Sequence, residues 1–506
     1  MRSEFSFSVT ALRNLWTPAI IALALAGSLL PISAQEKGIE KKTKKETEIK
    51  KTEDEEFIKK SEDKKHGGKH SSRLTDEYIP LQLEGFPERP RPILEIGQSF
   101  LGTGTLDQGI TLPTGAVWQP YFILFGTLRS GLQSFNDGAD QFSEWANRFD
   151  LFGNLYLTFT ERILVGFRPL DQDGRFTGMI FQPDGFNNNF QDEFNFELTT
   201  LFFEGDFGEI FPNLDKEDKH GLDYGFSVGR QPISFQEGML INDNIDAIGI
   251  TKTNGKFPSS AVNFRWTTLF GWNQLNRMNL ADDNAADSRL FGLLTETDFR
   301  ASTVAVDIIY VNGNDSTGNG IYAGVSAVQR MGKYNTSFRV LSSFPLGDET
   351  AHNTQGTLLF SEISWTPRGN HNLVYINAFL GINKFRSASR GAATGGPLGR
   401  TGILFASSGL GRFGGGTTLR NTADKVAGGA FGYQMFFAHT RQQLILELGG
   451  RYADNSFDQR AIAGGARYQM ALGRRFVIVV DGTALYEFEP ADDLRFGGRF
   501  ELLLRL

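Results

Sequence analysis

The residues with chemical potential in this chain are mostly arginines and carboxylates, and other reactive groups are quickly excluded. The run Gly409-Leu410-Gly411-Arg412-Phe413-Gly414 has the G-x-G-x-x-G spacing that brings backbone amides to a pyrophosphate. That use requires a helix opening at the third glycine, and Gly415-Gly416-Thr417-Thr418 offers none, so it reads as a flexible loop. There is no G-x-x-x-x-G-K-[ST] run. Six histidines, His66, His70, His220, His352, His371 and His439, are scattered. None stands in a pattern that pairs a base with a nucleophile, so no enzyme is expected. His66-Gly67-Gly68-Lys69-His70 would make only a weak metal clamp in a solvated, charged stretch. Asp282-Asp283 with Asp287, and Asn312-Gly313-Asn314-Asp315, carry hard oxygen donors but lack the twelve-residue calcium-loop pattern. The chain has no cysteine, which excludes thiolate ligands, disulfides and a lipidated N-terminal Cys. Neither a cofactor nor a metal nor a nucleic-acid partner is expected.

What remains is charge at every second position. In the last segments Arg451, Arg467, Arg475, Arg495 and Arg499 share a face with Glu447, Asp481 and Glu487, while the alternate positions are apolar. A second group, Arg390, Arg400, Arg412 and Arg420, is spread through 384–426 around the apolar Ile403-Leu404-Phe405. Such groups suit recognition of dissolved ions rather than covalent catalysis.

The elements that must position them are strands, because a period of two sends successive side chains to opposite faces. Leu494, Phe496, Phe500, Leu502, Leu504 and Leu506 lie on one face, opposite Asp493, Arg495, Arg499, Glu501 and Arg505. Phe476, Ile478, Val480, Ala484, Tyr486 and Phe488 repeat the pattern, as do Phe149, Leu151, Leu155, Leu157 and Phe159. One face suits lipid and the other water. Tight links at Thr160-Glu161, Phe299-Arg300, Met331-Gly332-Lys333, His439-Thr440 and Gly473-Arg474 alternate with long polar stretches near 170–192, 273–289, 345–355 and 384–426. Short turns on one rim and long loops on the other characterise transmembrane barrels. Two links, 207–221 and 253–260, are longer than that pattern requires.

Strands beginning near 118, 147, 161, 193, 222, 245, 261, 290, 300, 320, 333, 356, 371, 427, 441, 458, 475 and 493 give eighteen, with sixteen as the alternative. The expected fold is an all-β transmembrane antiparallel barrel over 118–506. No repeat of blade length supports a propeller or solenoid. Gly 58 and Phe 45 against Pro 17, with a net charge of only -7, fit strands that each carry lipid-facing and water-facing residues. Trp145, Trp266, Trp272 and Trp365 near strand ends suit an interfacial girdle.

Ahead of the barrel, Arg2 and Arg13, the apolar run Ala19 to Leu30 and the small residues through Ala34 have the layout of a signal peptide, 1–34. Residues 35–79 are Lys- and Glu-rich and too poor in apolar groups to offset their ordering entropy, so a disordered periplasmic tail is expected. Residues 80–117, with Phe86-Pro87-Glu88-Arg89-Pro90-Arg91-Pro92, read as a Pro-rich connector.

These features resemble the bacterial outer-membrane porins and substrate-selective channels. The likeness is carried by the export signal, the closing Arg499-Phe500-Glu501-Leu502-Leu503-Leu504-Arg505-Leu506, and Phe226-Ser227-Val228-Gly229-Arg230-Gln231. The last stretch, with Asp243 and Asp246 after it, is similar to the Gly-Arg-Gln strand of several porin-like families, alginate-export barrels among them. The chain ends in Leu506 where those families usually end in Phe. The resemblance implies an outer-membrane location, insertion by the barrel-assembly machinery, passage of small hydrophilic solutes, and a homotrimer as an oligomeric form. The paired charges imply mild anion or zwitterion preference, and the segment 384–426 is expected to enter the pore as a constriction, with Leu404 and Phe405 packed on the wall. A non-conducting adhesion or receptor barrel, or a sheath around a periplasmic partner, are the alternatives.

Overall fold

The computed structural model describes residues 90–506 except 98–107, 137–139, 173, 183–189, 218, 220, 278–286, 392–393, 408, 411–417, 455–458 and 490–491. The expected signal peptide and charged tail, His66, His70 and His220, Asp282, Asp283 and Arg412 therefore lie outside the described residues.

Eighteen antiparallel strands form a closed ring. In chain order they are β1 Tyr121–Asn136, β2 Gln141–Tyr156, β3 in two pieces (Arg162–Phe167 and Arg175–Gln182), β4 Leu198–Asp206, β5 Tyr224–Phe235 and β6 Ile241–Gly255. Next come β7 Asn263–Asn273, β8 Arg289–Asp298, β9 Ser302–Asn312, β10 Gly320–Met331, β11 Tyr334–Pro345 and β12 Gly356–Trp365. The ring is completed by β13 Leu373–Lys384, β14 Asp424–Phe437, β15 Gln442–Ala453, β16 Arg460–Leu472, β17 Phe476–Glu489 and β18 Asp493–Arg505. Neighbours in sequence are neighbours in the sheet, and β18 closes onto β1 with Arg505 opposite Thr127 and Gly497 opposite Phe135. Every ring strand thus has a partner on both sides, the condition for backbone groups to be satisfied in lipid.

Alternation is visible in the exposure. In β18, Leu494, Phe496 and Leu502 face outward and are exposed, whereas Arg499 and Glu501 face inward and are buried. The outward belt continues through Phe291, Leu293, Val306, Ile308, Val340 and Leu380. Trp266 packs with Tyr224, and Trp365 with Tyr334, near the rim where β10 and β11 join through Gly332-Lys333.

Three sequence expectations need adjustment. Trp118 belongs not to the first barrel strand but to a two-stranded ribbon, Val117–Trp118 on Ile110–Thr111. The third strand breaks after Phe167: both pieces pair with β2, and the intervening turn contains Pro169, which has no donor for a ladder, and Gly174 at φ 80°. The long link after β4 holds a short helix, α1 Phe207–Ile210, capped by the Asp206 carboxylate accepting from the amides of Gly208 and Glu209.

The ring encloses two apolar clusters. One gathers Leu341, Leu358, Phe360, Phe379, Val426 and Ala430 from the wall with Phe385, Leu398, Leu404, Phe405 and Leu419 from the segment between β13 and β14. The other centres on Leu240, Ile241, Ile245, Leu275 and Tyr322. The described residues of 385–423 therefore lie against the inner wall.

Candidate functional site

The inner face of β15–β18 presents the odd-numbered residues. Asp481 accepts from Arg467 Nε at 2.7 Å and from Arg467 Nη2 at 3.0 Å, and on its other side it pairs with Arg499. Arg499 lies 3.7 Å from Glu501, which in turn takes Nη1 of Arg129 at 3.1 Å. The result is a lateral row, Arg467-Asp481-Arg499-Glu501-Arg129, crossing four strands with cations and anions alternating. Arg495 forms a second group with Glu487 at 2.8 Å and Asp493 at 3.0 Å. Arg475 stands just before β17 and donates to the carbonyl of Arg91 at 3.0 Å. Arg451 and Glu447 do not join the row; both bind the infolded segment.

That segment is anchored along its length. Ser389–Arg390 pairs in parallel with Ile241–Asn242, and the Ser389 hydroxyl donates to Asp243 Oδ2 at 2.5 Å. Arg386 pairs with Asp424. The Arg390 guanidinium donates to the Gly238 carbonyl and to Ser387 Oγ. Burial, and after it the neighbouring Arg400 charge, push this guanidinium down to about 9, with Asp243 opposing the shift. Arg400 donates to Ser234 Oγ at 2.9 Å and Asn242 Oδ1 at 2.8 Å. The amides of Ile403 and Leu404 donate to the Glu447 carboxylate at 3.0 Å and 2.8 Å. Leu404 and Phe405 are fully buried, and the Phe405 ring meets Phe379 edge-on at 5.1 Å. Burying two such side chains is worth roughly 1.5–3 kcal/mol each. Near the far end, Arg499 donates to the Gly409 carbonyl at 2.5 Å, Arg451 donates to the Arg420 carbonyl, and the Arg420 amide donates to Gln459 at 2.9 Å. Leu410 fits over Gly131, where any Cβ would collide with it. The side chains of Arg386, Arg390 and Arg400 are thus engaged with wall or backbone, and Arg420 is held through its own backbone.

Sequence reasoning missed the open side of the lumen. Two cavities of about 610 Å³ and 440 Å³ share Ser234, Phe235 and Thr267 on β5 and β7. The first is also lined by Glu204 and Ser227, the second by Arg265, Glu296, Asp307 and Arg339. Arg162 pairs with Glu204, Arg265 with Glu296, and Arg339 with Glu237; Asp307 accepts from Gln236 at 2.7 Å. Glu237 and Gln236 sit at φ 53° in the β5–β6 turn, which also bends inward and buries Met239 and Leu240. A signal for these residues was present, since Arg265 and Thr267 alternate with Trp266 and Thr268, but the alternation is short and its outward positions include Thr268. Among the described residues no group of His, Asp or Glu is arranged to hold a metal ion.

No family model matches the chain, and no curated protein is found similar to it in sequence. Solved structures do resemble it. OccK5 (OpdH) of Pseudomonas aeruginosa is 12% identical at a TM-score of 0.49, covering 76% of this chain and 98% of its own. A BenF-like porin from Pseudomonas fluorescens Pf-5 is 10% identical at a TM-score of 0.51, over 76% of this chain and 98% of the porin. At such identity the likeness is one of fold, and the chain shares the barrel architecture of a solved bacterial porin.

Proposed function

We propose that this protein is an outer-membrane channel for passive diffusion of small hydrophilic solutes, and not an enzyme. The observation that carries the reading is a closed eighteen-strand ring with an apolar outer belt, a charged inner face and two adjoining cavities within it. The BenF-like neighbour is named a porin, which supports the same reading. The infolded segment 385–423 narrows the lumen and acts as the constriction. Selectivity is mild, toward anions or zwitterions: the row on β16–β18 and β1 sets three arginines against two carboxylates, the neighbouring Arg495 answers two carboxylates, and the cavity side alternates signs pair by pair, so that opposite charges nearly cancel along the wall. Buried and paired charges act on a solute as a weak field. Export by a cleaved signal peptide, insertion by the barrel-assembly machinery, a periplasmic spacer tail and a homotrimer belong to the same proposal.

Reconstitution in planar bilayers tests it. Stepwise, ohmic current with a small anion-leaning reversal potential under a salt gradient is the expected result. An inserted but silent barrel would overturn it and favour an adhesion or receptor barrel, or a sheath.

A further inference from the structure

The β14–β15 hairpin and the infolded segment meet at one unusual point. Glu447 is 2% exposed, yet among the described residues no arginine or lysine lies within ion-pair distance of its carboxylate; its hydrogen-bond partners there are two backbone amides, Ile403 and Leu404, and the Tyr375 hydroxyl from β13. A buried carboxylate in apolar surroundings is costly unless its lone pairs are filled, and here the filling groups come mostly from the infolded segment. The geometry is also matched from the segment's side. Gly402 is in the left-handed region at φ 59°, and a Cβ there would strike the Glu447 carboxylate. Beyond the turn, Leu404 approaches Gly449, two residues along the same face of β15.

Resting on the reading of 385–423 as the constriction, we propose that Glu447, oriented by Tyr375, is the positioning residue that seats this segment, its carboxylate gripping the amides of Ile403 and Leu404 across the Gly402 turn. Other anchors hold the segment's ends: Ser389 and Arg390 on β6, Arg386 on Asp424, and Arg420 at Gln459. In its middle, Glu447 grips the backbone at Ile403 and Leu404, between the Arg400 contacts with Ser234 and Asn242 and the Phe405 ring against Phe379. Loss of the carboxylate frees the turn while leaving the ends attached, so the segment fluctuates rather than leaving the lumen. Gln in place of Glu retains one acceptor oxygen but turns an NH₂ group toward donors, which makes it a sensitive substitution.

The test uses full-length protein in lipid bilayers and, in parallel, trypsin digestion in detergent at Arg400, beside the turn, with Arg390 at the attached end as the internal control. Glu447→Gln and Gly402→Ala are expected to raise current fluctuations and cleavage at Arg400 about tenfold with cleavage at Arg390 unchanged, and Tyr375→Phe to act less, consistent with loss of charge-assisted hydrogen bonds. With Arg390 through Arg420 replaced by a short Gly-Ser link, Glu447→Gln should change nothing further. Unaltered fluctuations and cleavage in Glu447→Gln and Gly402→Ala would overturn the proposal, as would a current effect of Glu447→Gln that persists without the segment. Cleavage reports the seating independently of current, so faster cleavage with unchanged current would retain the seating role of Glu447 and reject the constriction instead.

Discussion

The lumen has two unlike sectors. On β16–β18 and β1 the charges are locked to one another beneath the infolded segment: the Arg499 and Asp481 side chains are 0% and 1% exposed. On β7 and β8, beside the cavities, Arg265 and Glu296 form the same kind of pair but remain 44% and 38% exposed. Identical chemistry thus serves different ends. A buried pair fixes the wall, since removal of one partner strands the other charge, whereas a solvated pair exchanges its partner for water or a passing ion at little cost. The arginines most evident in the sequence are those of the wall, and the more solvated charge pair lies beside the cavities on β7 and β8.

The largest effect should come from erasing the distinction. Replacing Arg390 through Arg420 with a short Gly-Ser link uncovers the locked sector, and single-channel conductance is expected to rise several-fold with weaker anion preference. An unchanged current would mean that the segment does not narrow the path. Next in size is stability. Asp481→Ala removes the shared acceptor of Arg467 and Arg499 and should cost about 3–5 kcal/mol, read from denaturant unfolding in micelles. Glu296→Ala, in the solvated sector, should cost only about 0–1 kcal/mol. Equal losses would abolish the comparison.

Permeation should show the opposite ranking. Arg265→Gln is expected to move the reversal potential toward cations by more than Arg467→Gln does, because the Arg265–Glu296 pair stands open to solvent whereas the Arg467–Asp481 pair is buried in the wall. A larger shift from Arg467 would relocate the solute path to the β16–β18 side. The smallest effect concerns residues 36–72: their deletion should leave conductance as it is, since both sectors belong to the ring. Lost barrel assembly on deletion would contradict a spacer role.

Strand number was legible because each strand writes its own alternation: β17 and β18 carry it over more than a dozen residues, with the tight Gly473-Arg474 link preceding them. Where the pattern is interrupted, as at Pro169 to Gly174 in β3, one strand and a loop look alike in sequence. The inward face of Arg467, Asp481 and Arg499 follows from parity alone. Their mutual pairing does not, because parity gives the face of a residue but leaves its height on the neighbouring strand to register. Glu447 illustrates the same gap, since its partners Ile403 and Leu404 are set by a turn with no periodicity of its own. The cavity pairs escaped notice because Arg162–Glu204 and Arg339–Glu237 join residues 42 and 102 positions apart.

The infolded segment also has a bearing on the order of events during maturation. Its contacts reach backward to Asp243, 146 positions from Ser389, and forward to Arg499, 90 positions from Gly409. The forward partner belongs to the last strand, so the lumen cannot acquire its complete interior until the chain's end is in place. Its contacts with β6, β13, β14 and β15 need only strands made before the last one, whereas the Arg499 contact waits for the end of the chain. The last strand therefore has two duties, to close the ring against β1 and to pin the far end of the segment that fills it.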